Sequence, residues 1–138
     1  MKRSIAMTIC VILLVSLFCG PVKAATYSSE YLYRYNGTLS TGNRSGELSL
    51  NFSTIARGAM TSIGISRIDV YSADGSFVKS VNGSTSNGLL ASNTPSHSGV
   101  HTIKVTSGQR YYLEVTFMAK NSSGSDSKSF TTNVATAK

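Results

Sequence analysis

Cysteine is absent from most of this sequence. Both cysteines, Cys10 and Cys19, lie among the first 24 of 138 residues, so residues 25–138 contain none. Small extracellular domains with thin cores often rely on disulfides, and residues 25–138 have to rely on core packing instead. A chain of this length buries roughly two thirds of its unfolded surface, which is sufficient for one domain. Disulfides, thiol nucleophiles and thiolate-metal sites are therefore excluded from residues 25–138.

Long hydrophobic runs are also missing. The apolar stretch Ile9–Phe18 is about half of the ~20 residues that a membrane-spanning helix needs. It follows a basic amino terminus and precedes a helix-breaking Gly20-Pro21 and small residues up to Ala24, a pattern typical of a signal peptide. We predict cleavage after Ala24, which makes residues 1–24 a leader and residues 25–138 one exported domain. The product is then secreted and is not an integral membrane protein.

Acidic residues are few, and the chain has a surplus of positive charge. There are 13 Lys and Arg residues against six Asp and Glu residues. Removal of Lys2, Arg3 and Lys23 with the leader leaves ten against six, a net charge of about +4. The remaining basic residues are never adjacent, so no basic run can follow a nucleic-acid backbone, and we predict no nucleic-acid partner. A mild positive field favours anionic polymers such as those of a cell wall.

Catalytic groups are sparse. No Gly-x-Ser-x-Gly elbow and no Asp-x-Asp pattern occurs, and the six acids are scattered along the sequence. The two histidines, His97 and His101, have a spacing that would suit a metal on a helix, but Pro95 and Gly99 oppose a helix there. We therefore predict that the protein is not an enzyme and has no catalytic residues, no metal site and no cofactor.

Apolar and polar residues alternate along several stretches of the sequence. Apolar residues occupy every second position in Glu47–Ser53, His101–Thr106 and Tyr111–Phe117. Because side chains alternate between the two faces of a strand, each stretch predicts a strand with one apolar and one polar face. No comparable stretch has a helical period, so the pattern predicts an all-β protein.

Turn residues separate these stretches at short intervals. Asp74-Gly75 lies between Ile68–Tyr71 and Phe77–Val81 and predicts a tight hairpin, because glycine supplies the positive φ that such a turn needs. Similar Asn-Gly and Ser-Gly pairs divide the rest of the chain. We expect seven or eight antiparallel strands, packed as a β-sandwich so that the apolar faces meet.

Three alternating tyrosines, Tyr31, Tyr33 and Tyr35, predict a strand with an aromatic face near the amino terminus of the exported part. Such rings offer flat apolar surfaces with polar edges, so they are candidate contacts for sugar rings or a partner protein. The alternative is a cross-strand aromatic row that only stabilises the sheet.

Residues 82–99 interrupt the alternation with small polar residues. One interpretation is an exposed contact loop for a glycan or protein, in which Asn87, Asn93 and His97 supply hydrogen bonds. The other is a long crossover between sheets, with a short strand at Leu89–Ser92 in the core.

The carboxyl-terminal third, Ser107–Ser127, resembles the last two strands of an immunoglobulin-like or fibronectin type III-like domain. Its Gly-x-x-Tyr sequence ends at Tyr111, and Leu113 and Val115 follow on the same face. The resemblance implies that Tyr111 is a structural residue whose hydroxyl bonds back to the preceding loop, and that Asn121–Gly124 is the last turn. The whole chain is similar to small exported bacterial proteins of a domain-of-unknown-function class. This resemblance implies secretion and a β-sandwich, and it brings no established catalytic residues.

Two functions are consistent with these features. The first is a secreted, non-catalytic binding or cell-surface interaction module for a protein or glycan, with cell-wall polymer as one candidate. The second is a diffusible cationic effector that acts on neighbouring cell envelopes.

Overall fold

The computed structural model describes residues 31–138, which form nine strands and no helix. The predicted leader and its cleavage site lie outside the described residues. The strands are β1 Leu32–Thr41, β2 Glu47–Met60, β3 Ser62–Ser72, β4 Phe77–Asn82, β5 Leu90–Ala91, β6 Thr94–Lys104, β7 Arg110–Asn121, β8 Gly124–Thr131 and β9 Ala135–Thr136.

The strands form two antiparallel sheets. One sheet has three strands in the order β1-β2-β6, and the other has six, with β4-β3-β7-β8 in a row and the short strands β5 and β9 paired to β3 and β7. This arrangement confirms the predicted all-β sandwich. There are nine strands instead of seven or eight because β5 and β9 are pairings of only two residues each.

The core lies between the sheets and is built from the alternating positions. Every second residue of β7 from Tyr111 to Ala119 is buried, as predicted for the stretch up to Phe117. In β2 the buried residues of the predicted stretch are Leu48, Leu50 and Phe52, and in β6 Ile103 is buried opposite Leu48. Burying one such side chain stabilises the folded state by about 1.5–3 kcal/mol relative to leaving it in water. This burial stabilises the sandwich without disulfides.

The hairpin predicted at Asp74-Gly75 joins β3 to β4. The Ser72 amide donates to the Ser76 carbonyl over 2.9 Å, and Gly75 has φ +90°. The Asp74 carboxylate accepts the Ser76 amide proton over 2.9 Å. This bond, with a second from the Ser76 side chain, lowers the pKa of Asp74 from its ordinary 3.8.

The sandwich has two ends that carry different loops. At the first, which we call the Asp74 end, the Ala73 amide donates to the Arg110 carbonyl over 2.9 Å, and the Gly108 amide donates to the Ala137 carbonyl over 3.0 Å. The opposite end, which we call the Tyr31 end, contains the start of β1 and the turn between β7 and β8. There the Thr61 hydroxyl donates to the Lys120 carbonyl over 2.9 Å.

Candidate functional site

The three amino-terminal tyrosines do not form one exposed row. The register of β1 against β2 shifts between Leu32 and Arg34, so Tyr33 is the extra residue of a β-bulge. Tyr35 points inward, and its ring lies 5.3 Å from that of Phe117 at a tilt of 37°. Tyr31 is also half-buried and packs against the core, whereas Tyr33 is 58% exposed. The expectation of a continuous aromatic face is therefore wrong, because the bulge breaks the alternation.

The exposed Tyr33 ring has two arginines beside it. The guanidinium carbon of Arg57 lies 5.3 Å from the ring centroid, and that of Arg34 lies 5.9 Å from it. Cation–π contacts of this kind contribute about 0.5–1 kcal/mol at exposed positions. We call Tyr33, Arg34 and Arg57 the Tyr33 cluster.

The backbone explains why these side chains meet. The bulge turns both Tyr33 and Arg34 outward, and the Arg57 amide donates to the Tyr31 carbonyl over 3.0 Å, which brings β2 alongside. Sequence reasoning missed both arginines. Arg34 has a local signal, since it is next to Tyr33, but Arg57 reaches the cluster only through the pairing of β1 with β2.

Arg34 and Arg57 differ from Arg67 in that neither of them forms an ion pair with a described carboxylate. Within residues 31–138 the ion pair present joins Arg67 to Asp69, so neither guanidinium of the Tyr33 cluster is paired with a described carboxylate. A guanidinium presents a rigid fork of N–H donors that matches the oxygens of a carboxylate or phosphate. The cluster therefore has the chemistry to bind an oxyanion against an aromatic ring.

The Asn87 side chain in the segment between β4 and β6 forms its hydrogen bonds within that segment. The Asn87 side-chain oxygen accepts the Ser84 amide over 2.9 Å and the Leu89 amide over 3.2 Å, and its nitrogen donates to the Asn82 carbonyl over 2.8 Å. Leu89 is fully buried, and β5 follows it against β3. A buried leucine followed by a short strand, Leu90–Ala91, is what the crossover interpretation predicts for this segment.

The remaining predicted contacts of this segment, Asn93 and His97, have different surroundings. Asn93 has φ +56°, a left-handed conformation, at the turn into β6. His97 lies within β6, opposite Thr54, and because β6 begins at Thr94 the expected loop ends at Asn93 and not at Gly99. The His97 Nε2 atom lies 2.7 Å from the Gly88 carbonyl oxygen, and its ring meets Phe52 edge-on at 5.3 Å.

The two histidines share the inner face of β6 but cannot share an ion. Four residues of strand separate them, which corresponds to about 13 Å. Burial lowers the pKa of His101 from its ordinary 6.5, opposed by a hydrogen bond to the Asn87 backbone. Among the described residues, no three His, Cys, Asp or Glu side chains are grouped so that they could hold a metal.

Tyr111 is 4% exposed at the start of β7. Its hydroxyl accepts the Thr106 amide proton over 3.2 Å and donates to the Thr106 carbonyl over 3.3 Å. The turn at the other end of β7 is closed by Asn121, whose side-chain oxygen accepts the amides of Ser123 and Gly124 over 2.8 and 3.1 Å.

Comparison with known proteins gives no family. No family model matches the chain, and no curated protein matches it. A family 76 glycoside hydrolase from a bovine Bacteroides thetaiotaomicron strain is similar over 78% of this chain and 20% of its own, with 17% identity and a TM-score of 0.46. A Parabacteroides merdae β-glucuronidase is similar over 75% of this chain and 14% of its own, with 15% identity and a TM-score of 0.37. TM-scores below 0.5 are too low to carry an argument about function.

In the part of the chain from residue 31 onward, no helix is long and apolar enough to cross a membrane.

Proposed function

We propose that this protein is a secreted, non-catalytic binding module that holds an anionic partner at the Tyr33 cluster. The observation that carries the proposal is an exposed tyrosine ring with two guanidiniums beside it, 5.3 and 5.9 Å from its centroid, neither of them in an ion pair with a described carboxylate. Cell-wall polymers with phosphate or carboxylate groups are the first candidates, and an acidic protein surface is the second.

Two features support an anionic partner. The guanidinium forks complement oxyanions, and the ring holds both side chains near one position, which reduces the entropy lost when they bind. The surplus of ten basic over six acidic residues in residues 25–138 also raises the local concentration of polyanions. Binding of this kind should weaken as salt increases, because the cluster is exposed.

We also infer that the sandwich belongs to the immunoglobulin-like class. The sheet order β8-β7-β3-β4 corresponds to G-F-C-C′ of that class, and β1-β2-β6 corresponds to A-B-E. The bonds from the Tyr111 hydroxyl back to Thr106 support a tyrosine corner at the start of strand F. Sandwiches of this class commonly serve as cell-surface modules, which agrees with secretion after cleavage at Ala24.

A sedimentation assay with purified cell-wall material tests the function. The exported form, residues 25–138, should be retained by wall material, and the double variant Arg34→Gln/Arg57→Gln should bind at least tenfold more weakly. The matched control is Arg44→Gln/Lys120→Gln, which removes the same charge from two other exposed positions. If both double variants bind equally, net charge alone accounts for retention and the Tyr33 cluster is not the site.

The guanidiniums would also serve the second candidate function, a cationic effector. An inhibition-zone assay against neighbouring bacteria separates the two. Retention on wall material without inhibition supports the binding module, whereas inhibition that is lost in Arg34→Gln/Arg57→Gln supports the effector.

A further inference from the structure

Three aromatic rings lie side by side on the outer face of the six-stranded sheet. In the register of the strands, Phe77 on β4 is opposite Tyr71 on β3, which is opposite Tyr112 on β7. The rings of Tyr71 and Tyr112 are stacked, 5.3 Å apart and 10° from parallel, and Phe77 meets Tyr71 edge-on at 5.7 Å. Phe77 is 58% exposed. We call these three residues the aromatic row.

Two carboxylates lie beside the aromatic row on the outer face of the six-stranded sheet. Two residues further along the strands, Asp69 is directly opposite Glu114, and Ser80 is opposite Asp69. The six acids are scattered along the sequence, but strand pairing makes Asp69 and Glu114, 45 positions apart, cross-strand neighbours. Arg67 Nε donates to both Asp69 oxygens over 2.9 Å, which neutralises one of the two carboxylates.

An open cleft lies on the other side of the aromatic row. It has a volume of about 390 Å³ and lies at the Asp74 end, where the lining residues are Ser72, Ala73, Asp74, Gly108, Gln109 and Arg110. Since Arg110 is two residues from Tyr112 on the same strand, both side chains belong to the outer face. The cleft contributes one carboxylate, one guanidinium and one amide.

The order of these groups along the face determines which ligand fits. Aromatic rings pack against apolar C–H surfaces, while the groups on both sides of them donate and accept hydrogen bonds. Arg110 opposes Asp74 in charge and Arg67 opposes Asp69, which leaves Glu114 as the one carboxylate of these groups without an opposite charge. The face therefore repels a strong anion and offers a cation only a single carboxylate. A sugar ring combines apolar C–H faces with uncharged hydroxyl groups at its edges.

We propose that this face binds a neutral polysaccharide chain, with one sugar ring against the aromatic row and neighbouring hydroxyls on the cleft and on Glu114. From Arg110 to Glu114 the face extends about 13 Å, four residues of strand, which is longer than one sugar ring. Neutral ligands make no strong ion pairs, so this binding should depend little on salt.

This surface is independent of the Tyr33 cluster. The aromatic row lies on β3, β4 and β7 near the Asp74 end, whereas the Tyr33 cluster lies on β1 and β2 near the Tyr31 end. The inference goes beyond the proposed function, because it assigns a second ligand of different chemistry. Each site can fail its own test without affecting the other.

Affinity electrophoresis in gels that contain a soluble neutral polysaccharide tests the proposal. The panel is hydroxyethyl cellulose, laminarin, yeast mannan and dextran, each run with and without 0.5 M NaCl. The exported form should be retarded by at least one of them in both salt conditions. Phe77→Ser and Tyr112→Ser should each reduce that retardation at least tenfold, and Glu114→Gln at least threefold.

The control is Val100→Ser, an apolar position that is 64% exposed on β6 of the other sheet. Relative to a gel without polysaccharide, it should be retarded as strongly as the wild type, as should Arg34→Gln/Arg57→Gln, and a thermal melt establishes that each variant is folded. Phe77→Ser keeps the proposal testable if Tyr112→Ser does not fold, because Phe77 is the most exposed ring of the row.

Three results would overturn the proposal. The first is that none of the four polysaccharides retards the protein, and the second is that Phe77→Ser binds as well as the wild type. The third is a concentration-dependent dimer in sedimentation that Phe77→Ser dissolves, since this face would then be an interface between two copies of the chain.

Discussion

The imidazole of His97 reaches out of its own strand to the Gly88 carbonyl, with 2.7 Å between Nε2 and the oxygen. This contact joins β6 to the crossover that precedes it, and the buried Leu89 side chain anchors the same segment in the core. The sequence pattern suggested His97 as a contact for an external partner. Its hydrogen bond to Gly88 gives it a structural role within the fold.

His97→Ala should therefore loosen the crossover. The lost hydrogen bond corresponds to about 1 kcal/mol, and amide hydrogen exchange should accelerate in residues 84–90 more than in β7. Ser98→Ala, at the exposed neighbouring position, is the control and should leave exchange unchanged. Uniform acceleration over the whole domain would contradict a local role.

Tyr111→Phe should lower the free energy of unfolding by about 1–2 kcal/mol. The substitution removes the hydroxyl of a buried side chain, which both accepts from and donates to the Thr106 backbone. Urea denaturation measures the change. Tyr33→Phe removes the same atom from an exposed ring and should change stability by less than about 0.5 kcal/mol.

Acid should destabilise the domain through His101. Burial lowers the pKa of His101 in the folded state, while the unfolded chain takes up the proton below the ordinary 6.5. The free energy of unfolding is therefore unaffected by this group above about pH 6.5 and falls as the pH drops below it. His101→Gln should reduce the difference in urea midpoint between pH 7.5 and pH 5.0.

Asp74→Asn provides the control for that measurement. The lowered pKa of Asp74 stabilises the fold above its ordinary 3.8 and is lost only in stronger acid, so its contribution is constant between pH 5.0 and 7.5. Asp74→Asn should keep the pH dependence of the wild type in this range. If His101→Gln keeps it as well, another group is responsible.

Gly64→Ala should destabilise the domain by at least about 2 kcal/mol. Gly64 has φ +135°, and a Cβ atom there would lie 2.2 Å from the Leu89 carbonyl oxygen, which belongs to the backbone and cannot move aside cheaply. Gly58→Ala is a matched substitution in the preceding strand β2, where a Cβ would meet nothing within 4 Å. Thermal melts of the two variants should therefore differ clearly.

The candidate sites could be predicted from the sequence only in part. Tyr33 was among the predicted contacts, but Arg57 and the aromatic row were not. These residues are brought together only by the register between strands that are distant in sequence, as in the pairing of Tyr71 with Tyr112. Asn87 was predicted to be a contact because it is polar, yet its side chain bonds within its own loop.

The sequence by itself determined the strands, the Asp74-Gly75 hairpin and the apolar face of β7, because side-chain alternation and turn conformation depend on residues within a few positions of each other. The tertiary structure decided which strands pair, where the bulge at Tyr33 interrupts the alternation, and which charged groups become neighbours. These features depend on contacts between strands far apart in the chain, and a one-residue change in register moves every side chain to the opposite face.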